Sequence, residues 1–285
     1  MTRCGLAVVV AGWLAVSLMA SPLPVTNNLM IWLDAGAEDS VVMRTDGSGQ
    51  VEQWKNLADD TLFGITAFNR YAYAGPALAT LDNGTPVIRF NGTANSGSIL
   101  RADRPNTVRD VGTDWTFFFV LANVTETRGL FDSCINTVTG PLRFYRNSNY
   151  VSKQGDDDVG VGGMPIVLPE DTSGGMLFSF SHGAVNGLRA WNGYIDGQGY
   201  EGSSVTMNRY ATVRWFTPQF GSINNGINDN YFNGDIAEVL IYQGVLSDAD
   251  RMAVESYLMD KYGIPEPATM SLLAIGGLTL LRRRR

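Results

Sequence analysis

The chain has two cysteines, Cys4 and Cys134, and Cys4 lies in an apolar N-terminal segment that export would remove. No disulfide can then form inside the domain, so its stability has to come from a packed core. Cys134 reads as a small buried side chain, with a reactive or intermolecular thiol as the alternative. There is one histidine, His182, so a histidine-rich metal site or a Ser-His-Asp triad would have to be built on that residue alone. Only three of the 21 basic residues are lysines. Arg3 and the run Arg282, Arg283, Arg284 and Arg285 lie in the end segments. Without them 16 basic residues face 28 acidic ones, a balance of −12. Such a surface repels phosphate backbones and excludes nucleic acid as a partner. The chain has no Pro-rich or Ser-rich linker and no internal repeat, which fits one large β domain in 285 residues.

The residues present point to strands. Asp235 to Tyr242 carries Ile236, Val239, Leu240 and Ile241, with Asn233-Gly234 before it and Gln243-Gly244 after it as turn formers. Alternation predicts Ala237, Val239 and Ile241 on one face and Ile236, Glu238, Leu240 and Tyr242 on the other, both mostly apolar, which marks a central strand. Ser247-Asp248-Ala249-Asp250 then reads as a helix start: a serine N-cap, with acids favoured by the dipole in the first turn. Gly263 should stop this helix, and Met252, Leu258 and Tyr257 should pin it to the sheet.

Upstream, short apolar runs alternate with turn signals. Strands are predicted at Leu29 to Leu33, Val51 to Trp54, Val87 to Phe90, Ile99 to Arg101, Trp115 to Ala122, Gly129 to Phe131, Leu142 to Tyr145, Met176 to Ser181 and Leu188 to Trp191. Asn-Gly pairs at 83, 91, 186, 192, 225 and 233 supply turns. The consecutive Phe117, Phe118 and Phe119 must point to both faces of their strand, a second central one. The expectation is an all-β, antiparallel two-sheet jelly-roll sandwich with one short C-terminal helix.

The two ends have their own patterns. Arg3, an apolar run from Leu6 to Met19 and small residues at Ala20 and Ser21 form the layout of a secretory signal peptide over residues 1–20; an uncleaved anchor is the alternative. At the other end Pro265, Glu266 and Pro267 precede an uncharged stretch from Ala268 to Leu281 and then the terminal arginines. An apolar helix followed by arginines stops in the membrane with its basic end in the cytoplasm, so the domain faces away from it.

Two resemblances follow from these residues. FNGDIAEVLIYQGVL, with a short helix ending in YLMDKYG, resembles the closing strand and helix of laminin-G-like, concanavalin A-like domains. WLDA at Trp32 to Ala35, VEQWKN from Val51, VIRFNG from Val87 and WTFFFVL from Trp115 fit more loosely and extend the likeness over most of residues 21–263. The last 22 residues, 264–285, resemble the PEP-CTERM sorting signal. That resemblance implies an exosortase-type processing enzyme as partner, a transient inner-membrane anchor through the C-terminal helix, and display at the cell surface or in an extracellular matrix.

Catalytic relatives of the sandwich, the laminarinase-type glucanases, place paired carboxylates on alternating strand positions, and neither E-x-D-x-E nor E-x-D-x-x-E occurs here. Glu238 stands alone in its strand, with Asp235 expected on the opposite face. No enzymatic activity is expected. Glu238 reads either as an ion pair with Arg251 or Arg89, or as an acceptor for glycan hydroxyls. Asn228, Asp229, Asn230 and Asp235 offer oxygen ligands for calcium, but Asn/Asp/Gly loops are also ordinary turn chemistry, and no other cofactor is implied. Aromatic plates for a sugar could come from Tyr71, Tyr73, Tyr150, Trp191, Tyr194, Tyr200 or Trp215. The function expected is a noncatalytic, surface-displayed module that binds extracellular polysaccharide or mediates adhesion, with a structural matrix component as the alternative and a glycoside hydrolase-like enzyme, disfavoured by the missing carboxylate pair, as the second.

Overall fold

A computed structural model describes residues 22–58, 65–66, 75–92, 99–102, 108–109, 114–126, 129–132, 143–146, 151–153, 169, 171–185, 188–199, 205–207, 215–216, 218–221 and 231–265. In chain order the strands are β1 (Leu29–Asp34), β2 (Val41–Met43), β3 (Val51–Trp54), β4 (Ile65–Thr66), β5 (Ala77–Thr80), β6 (Pro86–Phe90), β7 (Leu100–Ala102), β8 (Val108–Arg109), β9 (Trp115–Glu126) and β10 (Phe131–Asp132). There follow β11 (Arg143–Arg146), β12 (Val151–Lys153), β13 (Met176–Val185), β14 (Leu188–Ile195), β15 (Gln198–Gly199), β16 (Val205–Met207), β17 (Trp215–Phe216), β18 (Gln219–Phe220) and β19 (Asn233–Gln243), then the helix α1 (Asp248–Tyr262).

One sheet runs β15-β14-β13-β9-β19-β6-β5, with β1 also on β19 and β16 on β14; the other runs β12-β11-β10-β18-β7-β4-β3-β2. Every pairing in them is antiparallel, and β8 and β17 form a separate short pair. This is the two-sheet sandwich expected. β19 is central: β9 lines one side of it, while β6 and β1 share the other, β6 along Gly234 to Ile236 and β1 along Glu238 to Tyr242.

Two apolar layers hold the molecule together. Ile31, Leu33, Phe117, Phe119, Phe178, Val239 and Ile241 from the first sheet meet Trp54, Leu100, Phe131 and Phe220 from the second. On the other side of the first sheet, Val87, Phe118, Val120, Leu177, Leu240 and Tyr242 pack against Val254, Leu258 and Met259 of α1. The three consecutive phenylalanines therefore divide between the layers, and all three are fully buried. An aromatic chain of Phe117, Phe180 and Phe178 stacks along the inner layer, with Phe117 and Phe180 centroids 4.6 Å apart.

Three local expectations need correction. Strict alternation fails in β19, because Ile236 opposes Leu121 while Glu238 opposes Val120, leaving Ala237 as an extra residue. This β-bulge puts Ile236 with Val239 and Ile241 in the layer between the sheets, and Ala237 with Leu240 and Tyr242 in the layer under the helix. It also carries Asp235 to the same face as Glu238. Second, Asn233-Gly234 lies inside β19 and Asn192-Gly193 inside β14, so neither pair is a turn. Gly234 is needed for space: a Cβ there would stand 2.9 Å from the Phe232 ring and 3.1 Å from Val124 Cα. Third, Met252 is 52% exposed and pins nothing. Arg251, Val254, Glu255, Leu258 and Met259 form the buried side of α1, while Tyr257 packs partly buried at its margin.

The helix ends follow the sequence. Ser247 accepts the Asp250 N–H at the start, and Gly263, at φ 65°, closes the other end. Ile264 then folds back, its N–H donating to Met259 O, and is buried in the layer under the helix. The packed domain thus reaches one residue past Gly263, and Pro265 beside it is exposed.

Candidate functional site

Glu238, the strand carboxylate singled out in the sequence, sits on the helix side of β19 directly opposite Asp34 of β1. Neither Arg89 nor Arg251 reaches it. Its Oε1 accepts from Trp32 Nε1 at 2.7 Å, and its Oε2 accepts from Lys261 Nζ at 2.7 Å and from the Tyr262 hydroxyl at 2.8 Å. Lys261 also donates to Asp34 Oδ2 at 2.6 Å, while Asp34 Oδ1 takes the Gly36 N–H at 2.8 Å. The Glu238 side chain is 0% exposed, that of Asp34 7% and that of Lys261 20%.

One ammonium thus serves two buried carboxylates, and the group carries a surplus negative charge. Burial raises the Glu238 carboxyl above its ordinary value, against the pull of Lys261. Burial alone would lower Lys261, but Glu238 and Asp34 outweigh it and hold the ammonium above the usual lysine range. Tyr262 is raised as well, by burial and by Glu238. With both oxygens occupied, Glu238 has no free face for a glycan.

Tyr194 of β14 is similarly committed. The Arg251 guanidinium lies over its ring, 3.7 Å from the centroid, and Arg251 also pairs with Glu255, which accepts the Ser179 hydroxyl. The face of the ring that the arginine covers cannot stack on a pyranose. Trp191 lies in β14, paired with His182 and Val205, and Trp215 lies in β17, paired with Arg109. The side chains of Trp191 and Trp215, together with Tyr71, Tyr73, Tyr150, Tyr200 and Cys134, lie outside the described residues.

The calcium candidate Asp235 is spent on protein partners. Arg89 grips it with Nε to Oδ1 and Nη2 to Oδ2, both at 2.8 Å, and Asn123 Nδ2 donates to Oδ2 at 2.8 Å. Asn228, Asp229 and Asn230 lie outside the described residues, among which no group of three or more His, Cys, Asp or Glu could hold a metal.

Sequence reasoning did not anticipate a polar row on the second sheet. The register aligns Gln53, Thr66, Arg101, Gln219, Asp132 and Arg143 across six strands. Leu100 and Phe220, the neighbours of Arg101 and Gln219 along their strands, belong to the core, which turns Arg101 and Gln219 to the sheet's other face. Gln219 and Arg101 are buried at its centre, while Gln53 is partly open at its end. No single strand reveals the row, because each contributes one residue.

A further acid is tuned by burial. Asp196 and Gly197, at φ 50° and 76°, turn the chain between β14 and β15, and Asp196 Oδ1 accepts the Leu177 N–H. Burial raises its carboxyl despite that bond. A raised folded-state value contributes stability below the ordinary carboxylate range and loses it as pH rises through that value. Asp196→Asn keeps the acceptor and tolerates the positive φ. Thermal melts across pH should therefore show no difference from wild type in acid and a gain of roughly 0.5–1 kcal/mol at neutral pH.

The fold and its terminus define an antiparallel β-sandwich that runs without a linker into a sorting signal: residues 263–285 match the PEP-CTERM protein-sorting motif. No curated protein matches the chain. Among solved structures it is similar to domain 4 of AbnA, a GH43 extracellular arabinanase from Geobacillus stearothermophilus, determined with arabinotriose (TM-score 0.53, 19% identity, 81% of this chain and 98% of that one). It is also similar to the binding domain of Paraclostridial Mosquitocidal Protein 1 (TM-score 0.52, 14% identity, 81% and 53%). A third is a botulinum neurotoxin type C structure, from work on cell entry through two ganglioside molecules (TM-score 0.51, 10% identity, 81% and 52%). The chain spans about half of the latter two, and at these identities the likeness is one of fold. Among the described residues no helix is long and apolar enough to cross a membrane, and residues 266–285 lie outside them.

Proposed function

We propose that this chain is an exported, noncatalytic binding module, processed by an exosortase-type enzyme at its C-terminal signal and displayed at the cell surface, with extracellular polysaccharide as its ligand. The observation that carries the reading is the sorting motif at 263–285, which begins at the glycine that closes the sandwich's helix. One feature supports a noncatalytic role for a laminin-G-like sandwich. The buried carboxylates Asp34, Asp235, Glu238 and Glu255 each hold an internal partner. A retaining glycosidase needs two carboxyl groups about 5–5.5 Å apart with room for a sugar between them. Gln53, partly open at the end of the second sheet, offers an amide of the kind that binds sugar hydroxyls.

The test is a polysaccharide array probed with the full chain, with and without a calcium chelator. Binding should survive chelation, because Asp235 is held by Arg89 and Asn123. Gln53→Ala should weaken it about two- to tenfold, the worth of one net hydrogen bond. Loss on chelation would shift the site to residues 228–230. Absence of binding together with self-association would make the chain a matrix component.

A further inference from the structure

The cluster around Glu238 contains the parts of a condensation reaction. Lys261 supplies a primary amine 2.6 Å from Asp34 Oδ2, and Glu238 Oε2 lies 2.7 Å from the same nitrogen. Asp34 and Glu238 are cross-strand partners, so β1, β19 and the last turn of α1 deliver the three groups to one point. Trp32 and Tyr262 hold Glu238 in place from either side, and the Gly36 N–H donates to Asp34 Oδ1. A structural ion pair needs one carboxylate. This site has two opposite each other, an arrangement that is destabilising when both are charged.

We propose that Lys261 and Asp34 become joined by an amide bond between Nζ and Cγ, with Glu238 transferring the protons. The reactive form arises when Lys261 passes a proton to Asp34 Oδ2 across their hydrogen bond, which leaves a neutral amine beside two carboxylic acids. Nζ adds to Asp34 Cγ, and the C=O pair moves onto Oδ1, where the Gly36 N–H stabilises the developing charge. Glu238 takes a proton from Nζ and passes its own to Oδ2. That oxygen leaves as water as the C–O bond breaks and the carbonyl re-forms. Amine and acid give amide and water, so no oxidant, reductant or cofactor is required. The link spans 227 positions of sequence and ties the first strand to the helix that precedes the sorting signal. In an exported chain with no disulfide available, it would supply the covalent closure that a cystine supplies elsewhere.

Peptide mapping by mass spectrometry of the full chain tests this directly. The Asp34-bearing and Lys261-bearing peptides should appear joined and lighter by one water in nearly every molecule. Lys261→Arg keeps a cation between the two carboxylates but cannot condense in this way, so it should give two separate peptides while its circular dichroism still shows the β-sandwich. Glu238→Gln should also leave them separate, or slow the joining at least tenfold. Two unlinked peptides in the folded wild-type chain would overturn the proposal. Joining in Glu238→Gln at the wild-type rate would overturn the proton-transfer role of Glu238.

Discussion

Val239→Asp should yield no folded sandwich. Val239 is fully buried on the central strand, opposite Phe119 on one side and Leu33 on the other, in the layer between the two sheets. The substitution forfeits roughly 1.5–3 kcal/mol of valine burial. It also places a carboxylate in a layer of aliphatic and aromatic side chains, at an effective penalty of several kcal/mol. Together these consume most of the roughly 5–15 kcal/mol that holds a domain folded. Circular dichroism and protease resistance at 25 °C read the outcome: a cooperative melt near that of wild type would mean that β19 is not central.

Glu255→Ala should be nearly as damaging, for the opposite reason. Glu255 is 1% exposed and joins Arg251 to the Ser179 hydroxyl beneath the helix. Removing it leaves a buried guanidinium with the Tyr194 ring and the exposed Asp248, 3.7 Å away, and a serine hydroxyl without its acceptor. Breaking a buried pair from one side costs about 3–5 kcal/mol. A denaturant midpoint should fall accordingly, while Arg251→Met combined with Glu255→Leu should recover much of the loss, because apolar packing carries no desolvation penalty. An unchanged midpoint in Glu255→Ala would show that the pair contributes nothing to the docking of α1.

How far the sequence could be read differs between elements. Val51 to Trp54 is a strand with the bounds its residues suggest, and Trp115, Met176 and Leu188 each open a strand where they were expected to, because aromatic and β-branched runs have few alternatives once both faces are apolar. β2, β4, β5, β8, β12 and β15 to β18 escaped, since strands of two to four residues draw their pairing from neighbours rather than from local propensity. The site was harder to read. Glu238 was visible as a charge that needed a partner, but the nearest cations by pattern were arginines. Its actual partner, Lys261, lies in the last turn of the helix, within the YLMDKYG ending, where no local pattern ties it to β19.

By itself the sequence determined the class of fold, the capped helix from Ser247 to Gly263, and the sorting motif at the terminus. These rest on local grammar: turn residues, caps, apolar runs and the order of charge. Tertiary structure decided what grammar cannot carry. The bulge at Ala237 reassigns Ile236 and Asp235 to opposite faces from those alternation implies, because one inserted residue in a pairing shifts every side chain before it. The meeting of Asp34, Glu238 and Lys261 depends on three elements distant in sequence converging on one buried point, and only packing sets that distance.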